Sequence, residues 1–296
     1  MTMERQGGSI GLALAAFALL GGNAFALDWP LAPPRIAATF GTFAKGRVNT
    51  GAALSADDGI VRAAEDGEVS FSLDEGMNPS GLPTPLGSFI VLEHQKGMAA
   101  VYSHLAPDSR PTTGLVKVNG GDMLGKSGSS GWIEGPGLVF QVFDRRADSW
   151  VNPLLVLPPL VIDKPPVIRS LALSRADRVY TLGETASLPQ GTYRVSVDVA
   201  DLGDATWTMG PLAPYSIRLA IDGDEAVNLV FDVAKGVGGR LMFFSGNPIP
   251  AGDLKTKEGR YFLTERLFPR GRTSIEVHVE DAAGNKRSAS WSVLVE

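Results

Sequence analysis

The feature that most constrains this chain is its hydrophobic period. The second half alternates apolar with polar residues at every second position, the first half carries short apolar runs separated by glycine, and no stretch carries a helical repeat over three turns. In the second half, Tyr193, Val195, Val197 and Val199 interleave with Arg194, Ser196 and Asp198, and Ile217, Leu219 and Ile221 repeat the pattern before Asp222-Gly223, a two-residue hairpin signal. Ile275–Glu280 and Ala289–Val295 form a final strand pair around Asp281-Ala282-Ala283-Gly284-Asn285. Strands with one apolar face need a second sheet to cover it, so a β-sandwich is expected. In the first half, 67–71, 89–92, 100–102 and 137–142 read as strands of an antiparallel sheet. The expected fold class is all-β.

The 296 residues favour two domains. Pro153, Pro158, Pro159, Pro165 and Pro166 crowd a short span that reads as a semi-rigid connection, with a boundary near Leu160. Ahead of the first domain, Arg5 precedes an apolar run from Ile10 to Leu20, and Ala24-Phe25-Ala26 offers a small-x-small cleavage site. Residues 1–26 therefore read as a secretory signal peptide, 27–160 as the first domain and 161–296 as the second. No cysteine is present, so folding after export rests on no disulfide and no lipid anchor is expected. The periplasm is the expected location, with release to the medium as the alternative. A net charge of −5 gives no basic footprint for nucleic acid. No membrane span is expected once the signal is removed. Leu241-Met242-Phe243-Phe244 reads as a buried strand in preference to an exposed patch for a partner.

Three ordered segments carry a resemblance. They are Arg62–Val69, then Ile90–His94 followed by Val101-Tyr102-Ser103-His104-Leu105, and finally Val116–Asp122 running through Leu124–Gly128 to Gly137–Val142. In order and spacing they resemble the LytM/lysostaphin-type zinc endopeptidases. The resemblance implies a LytM-like antiparallel β-sheet domain and descent from enzymes that hydrolyse peptide cross-links in peptidoglycan. The Asp-x-x-Gly-Asn turn of the second half is similar to that of bacterial immunoglobulin-like modules.

In that family a His-x-x-x-Asp pair and the second histidine of a His-x-His hold zinc. The first histidine of the latter and the histidine of the Tyr-x-His-Leu strand act in catalysis. Here the His-x-x-x-Asp stretch falls on Asn49-Thr50-Gly51-Ala52-Ala53, so Asn49 and Ala53 replace two ligands. The His-x-His falls on Gly137-Leu138-Val139, so Gly137 replaces a catalytic histidine and Val139 the third ligand. Only His104 matches a functional position. A catalytic zinc needs three donors from His, Cys, Asp or Glu and an open position for water. An amide, a methyl and an isopropyl group do not supply them. The expectation is an inactive homologue without zinc or any other cofactor. The chain has three histidines, and neither His94 nor His278 stands at a ligand position. Asp57, Asp58 and Glu134, near the lost site, read as a solvated loop face. His104 reads equally as a groove residue and as a packed strand residue. Trp132 reads as a stacking surface or as a plug over the groove.

The candidate groove therefore comprises Asn49, His104, Trp132, Gly137 and Val139. The resemblance implies a regulator or adaptor of the cell envelope that binds a protein partner, such as a peptidoglycan hydrolase. The alternatives are a module that holds peptidoglycan without cutting it, and a metallopeptidase with an unfamiliar metal site.

Overall fold

A computed structural model describes residues 27–44, 46–77, 84–109, 116–133, 135–160, 164–201, 210–243 and 248–296. The signal-peptide reading of residues 1–26 lies outside these. The described residues are all-β, with short 3₁₀ turns and no α-helix. None of their helical segments is long and apolar enough to cross a membrane.

The largest sheet is antiparallel. Its central strands are Ser149–Val151, Leu138–Asp144, Met98–Leu105, Ser88–Glu93 and Gly67–Leu73, side by side in that order. Ala52–Ser55 pairs with the first part of Leu138–Asp144, and Arg35–Ala38 pairs with Ala52–Ser55. Alternation sends Ile90, Leu92, Ala100, Tyr102, Phe140 and Val142 to one face, where they form a buried core with Leu54, Leu124 and Leu138. Tyr102 is fully enclosed there, and its hydroxyl accepts the Ala64 N–H at 2.9 Å. Burial pushes that phenol far above its usual range.

The second half supplies two sheets facing each other. One has strands Arg178–Thr181, Val167–Arg175, Gly191–Ala200 and Tyr261–Phe268. The other has Ser187–Leu188, Lys286–Val295, Gly271–Glu280, Ser216–Ile221 and Asp224–Val230. Leu171, Val195 and Val197 of the first meet Leu219, Val277 and Val293 of the second in one core. The hairpin signal is realised: Asp222 and Gly223 both have positive φ, at 54° and 88°, and join Ser216–Ile221 to Asp224–Val230. In the final turn, Asp281 Oδ1 accepts the N–H groups of Ala283 and Asn285 at 2.9 and 2.8 Å. Phe243 is fully buried in a strand Arg240–Phe243, in line with the core reading of that run; Phe244 lies outside the described residues.

The boundary near Leu160 divides the sequence but not the hydrogen bonding. Val233–Val237, from the second half, pairs with Ser149–Val151 of the first, so Arg240–Phe243 and Ile249–Pro250 extend the first half's sheet. Phe40 sits in the second half's core, and Leu212 in the first's. Thr39 Oγ1 donates to the Ala213 carbonyl at 2.8 Å, and the Asn152 amide donates to the Phe231 carbonyl at 2.8 Å. These bonds join the two halves across the boundary expected near Leu160.

Candidate functional site

Two of the three positions that the resemblance assigns to zinc, Ala53 and Val139, stand side by side on one row of the large sheet. Ala38 stands opposite Ala53, Ala53 opposite Val139, and Val139 opposite Ser103. Ala53 is 0% exposed and Val139 8%. With Ala37 and Ala38 they form a small apolar cluster of their own, and Ile133 packs against it. Methyl and isopropyl groups thus meet one another where a metal would need lone pairs.

Asn49 is no better placed as a donor. Its Nδ2 donates to the carbonyls of Thr39 and Gly51 at 3.1 and 2.8 Å, and its Oδ1 accepts the Gly51 N–H at 3.3 Å. Its backbone closes the same turn, through Gly41 N–H to Asn49 O and Asn49 N–H to Thr42 O. Every polar atom of the residue fastens the turn that delivers the chain into Ala52–Ser55. Gly51 must be glycine there, because a Cβ would lie 2.4 Å from the Phe140 carbonyl oxygen. The donor set does not fit zinc. Among the described residues, no three His, Cys, Asp or Glu side chains converge to hold a metal ion. Asp57 is instead clasped by Arg35, which holds its carboxyl below the usual range. Asp58 accepts the Ile60 N–H. Glu134 lies outside the described residues.

His104 closes the strand Met98–Leu105 in a left-handed conformation, φ 66°. It is 6% exposed. Its Nδ1 lies 2.8 Å from the Ser130 carbonyl oxygen. A carbonyl only accepts, so Nδ1 carries the proton and Nε2 the lone pair. Ser130 Oγ in turn donates to Leu105 O at 2.7 Å and accepts Ser88 N–H at 2.9 Å. The Gly131 N–H reaches Glu75 Oε2 at 3.2 Å, and the Trp132 N–H reaches Pro85 O at 3.0 Å. The loop 130–132 is thus tied down by five hydrogen bonds. His104 is one of its anchors.

Burial lowers the His104 pKa from the usual value near 6.5, against smaller opposing effects of the Ser130 carbonyl and Glu75. A histidine depressed in the folded state stabilises above the unfolded pKa, and that contribution is lost as pH falls through both values. Thermal stability of the wild type is therefore expected to fall between about pH 7 and pH 5 more steeply than that of His104→Gln. Parallel melting profiles across that window would remove the assignment.

Trp132 stays 54% exposed, with the Arg47 guanidinium carbon 4.4 Å from its ring centroid. It stacks outside the floor; its neighbour Ile133 is what packs onto the apolar cluster. Gly137 is buried, and its N–H donates to Gly128 O at 2.9 Å. His94 lies elsewhere, its Nδ1 2.9 Å from Asp66 O, and His278 sits on the second half. The floor also extends further than the sequence indicates. Ser103 and Val101 share one face of their strand, Val91 stands opposite Val101, and Phe71 opposite Val91. Phe71, 54% exposed, stacks on Phe89 with ring centroids 5.4 Å apart. A strip interrupted only by Ser103, whose hydroxyl donates to the Val139 carbonyl at 3.0 Å, therefore runs from Val139 to the exposed Phe71 and the half-buried Phe89. Sequence alternation contains this face, but the bulge between Val69 and Phe71 that turns Phe71 onto it is visible only in the register.

Residues 47–153 match the model of Peptidase family M23, and a second family model matches residues 165–296. The first match places an M23-type domain in the N-terminal half. The chain is similar to an uncharacterized protein of Treponema pallidum, at 27% identity over 40% of this chain and 87% of that protein. It is also similar to the DD-carboxypeptidase/endopeptidase Mpg of Neisseria meningitidis, at 30% identity over 44% of this chain. The matched region spans 29% of the Mpg chain. Among solved structures, it is similar to a zinc-containing peptidase from Vibrio cholerae, at 24% identity over 45% of this chain and 40% of that one, TM-score 0.35. It is also similar to the catalytic domain of lysostaphin from Staphylococcus simulans, at 21% identity over 36% and 76%, TM-score 0.29.

Proposed function

We propose that this chain is an exported, non-catalytic protein of the cell envelope, whose M23-type half binds a partner where its relatives' chemistry would take place. The observation that carries the reading is the packed row Ala38–Ala53–Val139 with Ile133 over it. A hydrolytic zinc site must keep an open position for water beside three donors. Here the donors are hydrocarbon or spent on the backbone, and the space is packed. Such a floor is stable without an ion, because little in it demands solvation. The strip from Val139 to the Phe71–Phe89 pair then suits apolar side chains of a partner protein, in the periplasm by preference, with a role in peptidoglycan remodelling.

Retention of peptidoglycan without cleavage is the second reading. Trp132 favours it: an exposed indole backed by a guanidinium is a stacking surface for a peptide or sugar.

The decisive measurement pairs elemental analysis of the dialysed full chain with a muropeptide-release assay. The expected result is sub-stoichiometric zinc and no released fragments. One retained zinc per chain, or release above a heat-killed control, overturns the proposal. A sacculus co-sedimentation run in parallel separates the two readings: binding lost in Trp132→Ala supports the second.

A further inference from the structure

The sequence holds a single Asn-Gly pair, Asn119-Gly120. It lies in the exposed turn between the strands Lys117–Val118 and Met123–Lys126. An asparagine before glycine can modify itself. The glycine nitrogen, screened by no side chain and carried on a freely turning backbone, attacks the asparagine Cγ. Its proton passes to Nδ2, the Cγ–Nδ2 bond breaks, and ammonia leaves. Water then opens the cyclic imide to aspartate or isoaspartate. The reaction consumes nothing but water.

The fold engages both reacting groups elsewhere. The Gly120 N–H donates to Asp66 Oδ1 at 2.7 Å. The lone pair of a deprotonated amide lies where its hydrogen was, so it points at the Asp66 carboxylate and not at Asn119 Cγ. The Asn119 N–H donates to Asp122 Oδ2 at 2.8 Å, and Asn119 Nδ2 donates to the same oxygen at 3.3 Å. Two carboxylates at this turn also oppose the negative charge that the attacking nitrogen must acquire. The remaining bonds hold the backbone still: Asp122 N–H to Asn119 O at 3.0 Å, Gly121 N–H to Ala63 O at 2.8 Å, and Arg62 Nη1 to Gly121 O at 3.0 Å. Geometry and charge act in the same direction.

We propose that Asn119 is a latent deamidation site and that Asp66 is its guard, the side chain that keeps the Gly120 nitrogen from closing the imide while the chain is folded. The modification is irreversible and it disables the turn. A carboxylate at position 119 faces Asp122 with a like charge where an amide donor stood. Isoaspartate in addition lengthens the backbone by one atom, just ahead of the strand Met123–Lys126 that pairs with Ile60–Arg62. A chain that has opened here for long enough to react does not close into the same turn.

The test is peptide mapping by mass spectrometry of the full chain during incubation in mildly alkaline buffer, read at Asn119. Wild type in urea is expected to deamidate there at least about tenfold faster than folded wild type. Folded Asp66→Ala is expected to exceed folded wild type by at least about tenfold too, and Asp66→Ser is a second variant with the same expectation. Arg62→Ala loosens the same turn without touching the Gly120 nitrogen, and its rate should stay close to wild type. Asp66 and Arg62 are both exposed, so melting temperatures matching wild type show that the fold is kept. The proposal is overturned if folded wild type deamidates as fast as the chain in urea, or if the folded Asp66 variants are no faster than wild type. It also fails if Arg62→Ala is as fast as Asp66→Ala, since looseness of the turn would then suffice.

Discussion

Replacing Ala53 with aspartate, the residue type that the zinc peptidases carry at this position, is expected to lower stability by about 3–5 kcal/mol at neutral pH. Ala53 is 0% exposed, with Ala38 and Val139 directly across from it on the two neighbouring strands and Ile133 packed on the same cluster. The side chains packed around it, Ala37, Ala38, Val139 and Ile133, are all hydrocarbon and offer a carboxylate neither charge nor hydrogen bond. Desolvation would raise its pKa well above the usual value for aspartate. The sign of the pH dependence follows. A carboxyl whose folded pKa is raised is tolerated while protonated, so the penalty is small below about pH 4 and grows as pH rises through the folded value. Urea denaturation of wild type and Ala53→Asp at pH 4 and pH 7 measures this, with the gap widest at pH 7. A pH-independent gap under about 1 kcal/mol would mean that the position is open to water, and the closed-floor account would fail. The experiment also separates loss of ligands from loss of the site. If only the donors had changed, restoring one would be nearly neutral; if the space has been repacked, restoring it is harmful.

The strands were legible because period-two alternation survives in the sequence wherever one face is buried: Tyr193–Val199, Ile217–Ile221 and Ile275–Glu280 all lie within strands of the structure. The Asp222-Gly223 turn was legible because only a few residue types tolerate two successive positive φ values. What replaced the donors was legible too, since alanine and valine have no lone pairs whatever their surroundings. What fills the space was not. Ile133 lies on a loop whose position depends on Ser130 and His104, and no local pattern signals that an isoleucine one residue beyond an exposed tryptophan turns inward. His104 itself gave half its role away by its motif. Its service as an anchor for the 130–132 loop depends on a carbonyl 26 residues distant. The crossing of Val233–Val237 into the first half's sheet was illegible for the same reason. Its residues look like any short strand, and a strand's partner across a long loop is set by tertiary packing rather than by composition.

Phe231→Ala is expected to destabilise both halves together, by about 3–5 kcal/mol, within a single unfolding transition. The side chain is 0% exposed and stands edge-on to Phe243 and Tyr261, with centroids 5.4 and 5.9 Å away. Its ring also covers Gly41 of the first half so closely that a Cβ there would lie 2.4 Å from the ring. Its carbonyl accepts the Asn152 amide, and the Asp232 carbonyl next to it accepts the Asn152 N–H at 2.8 Å, ahead of the pairing of Val233–Val237 with Ser149–Val151. Phe231 therefore joins the second half's core to the strand that completes the first half's sheet. Removing the ring leaves a cavity at that junction, and the packing around Gly41, Phe40 and Phe243 loses its common neighbour. Differential scanning calorimetry of the wild type should show one peak, and of Phe231→Ala one peak at lower temperature. Limited proteolysis gives a second view: a chain cut between residues 153 and 166 should remain associated through gel filtration under native conditions, because the hydrogen bonds across the junction do not run through the linker. Two resolved calorimetric peaks in the wild type, or separation of the cut halves without denaturant, would return the molecule to two independent units. A single transition would mean that the M23-type half is completed by its neighbour, and that a partner bound to either half acts on the stability of both.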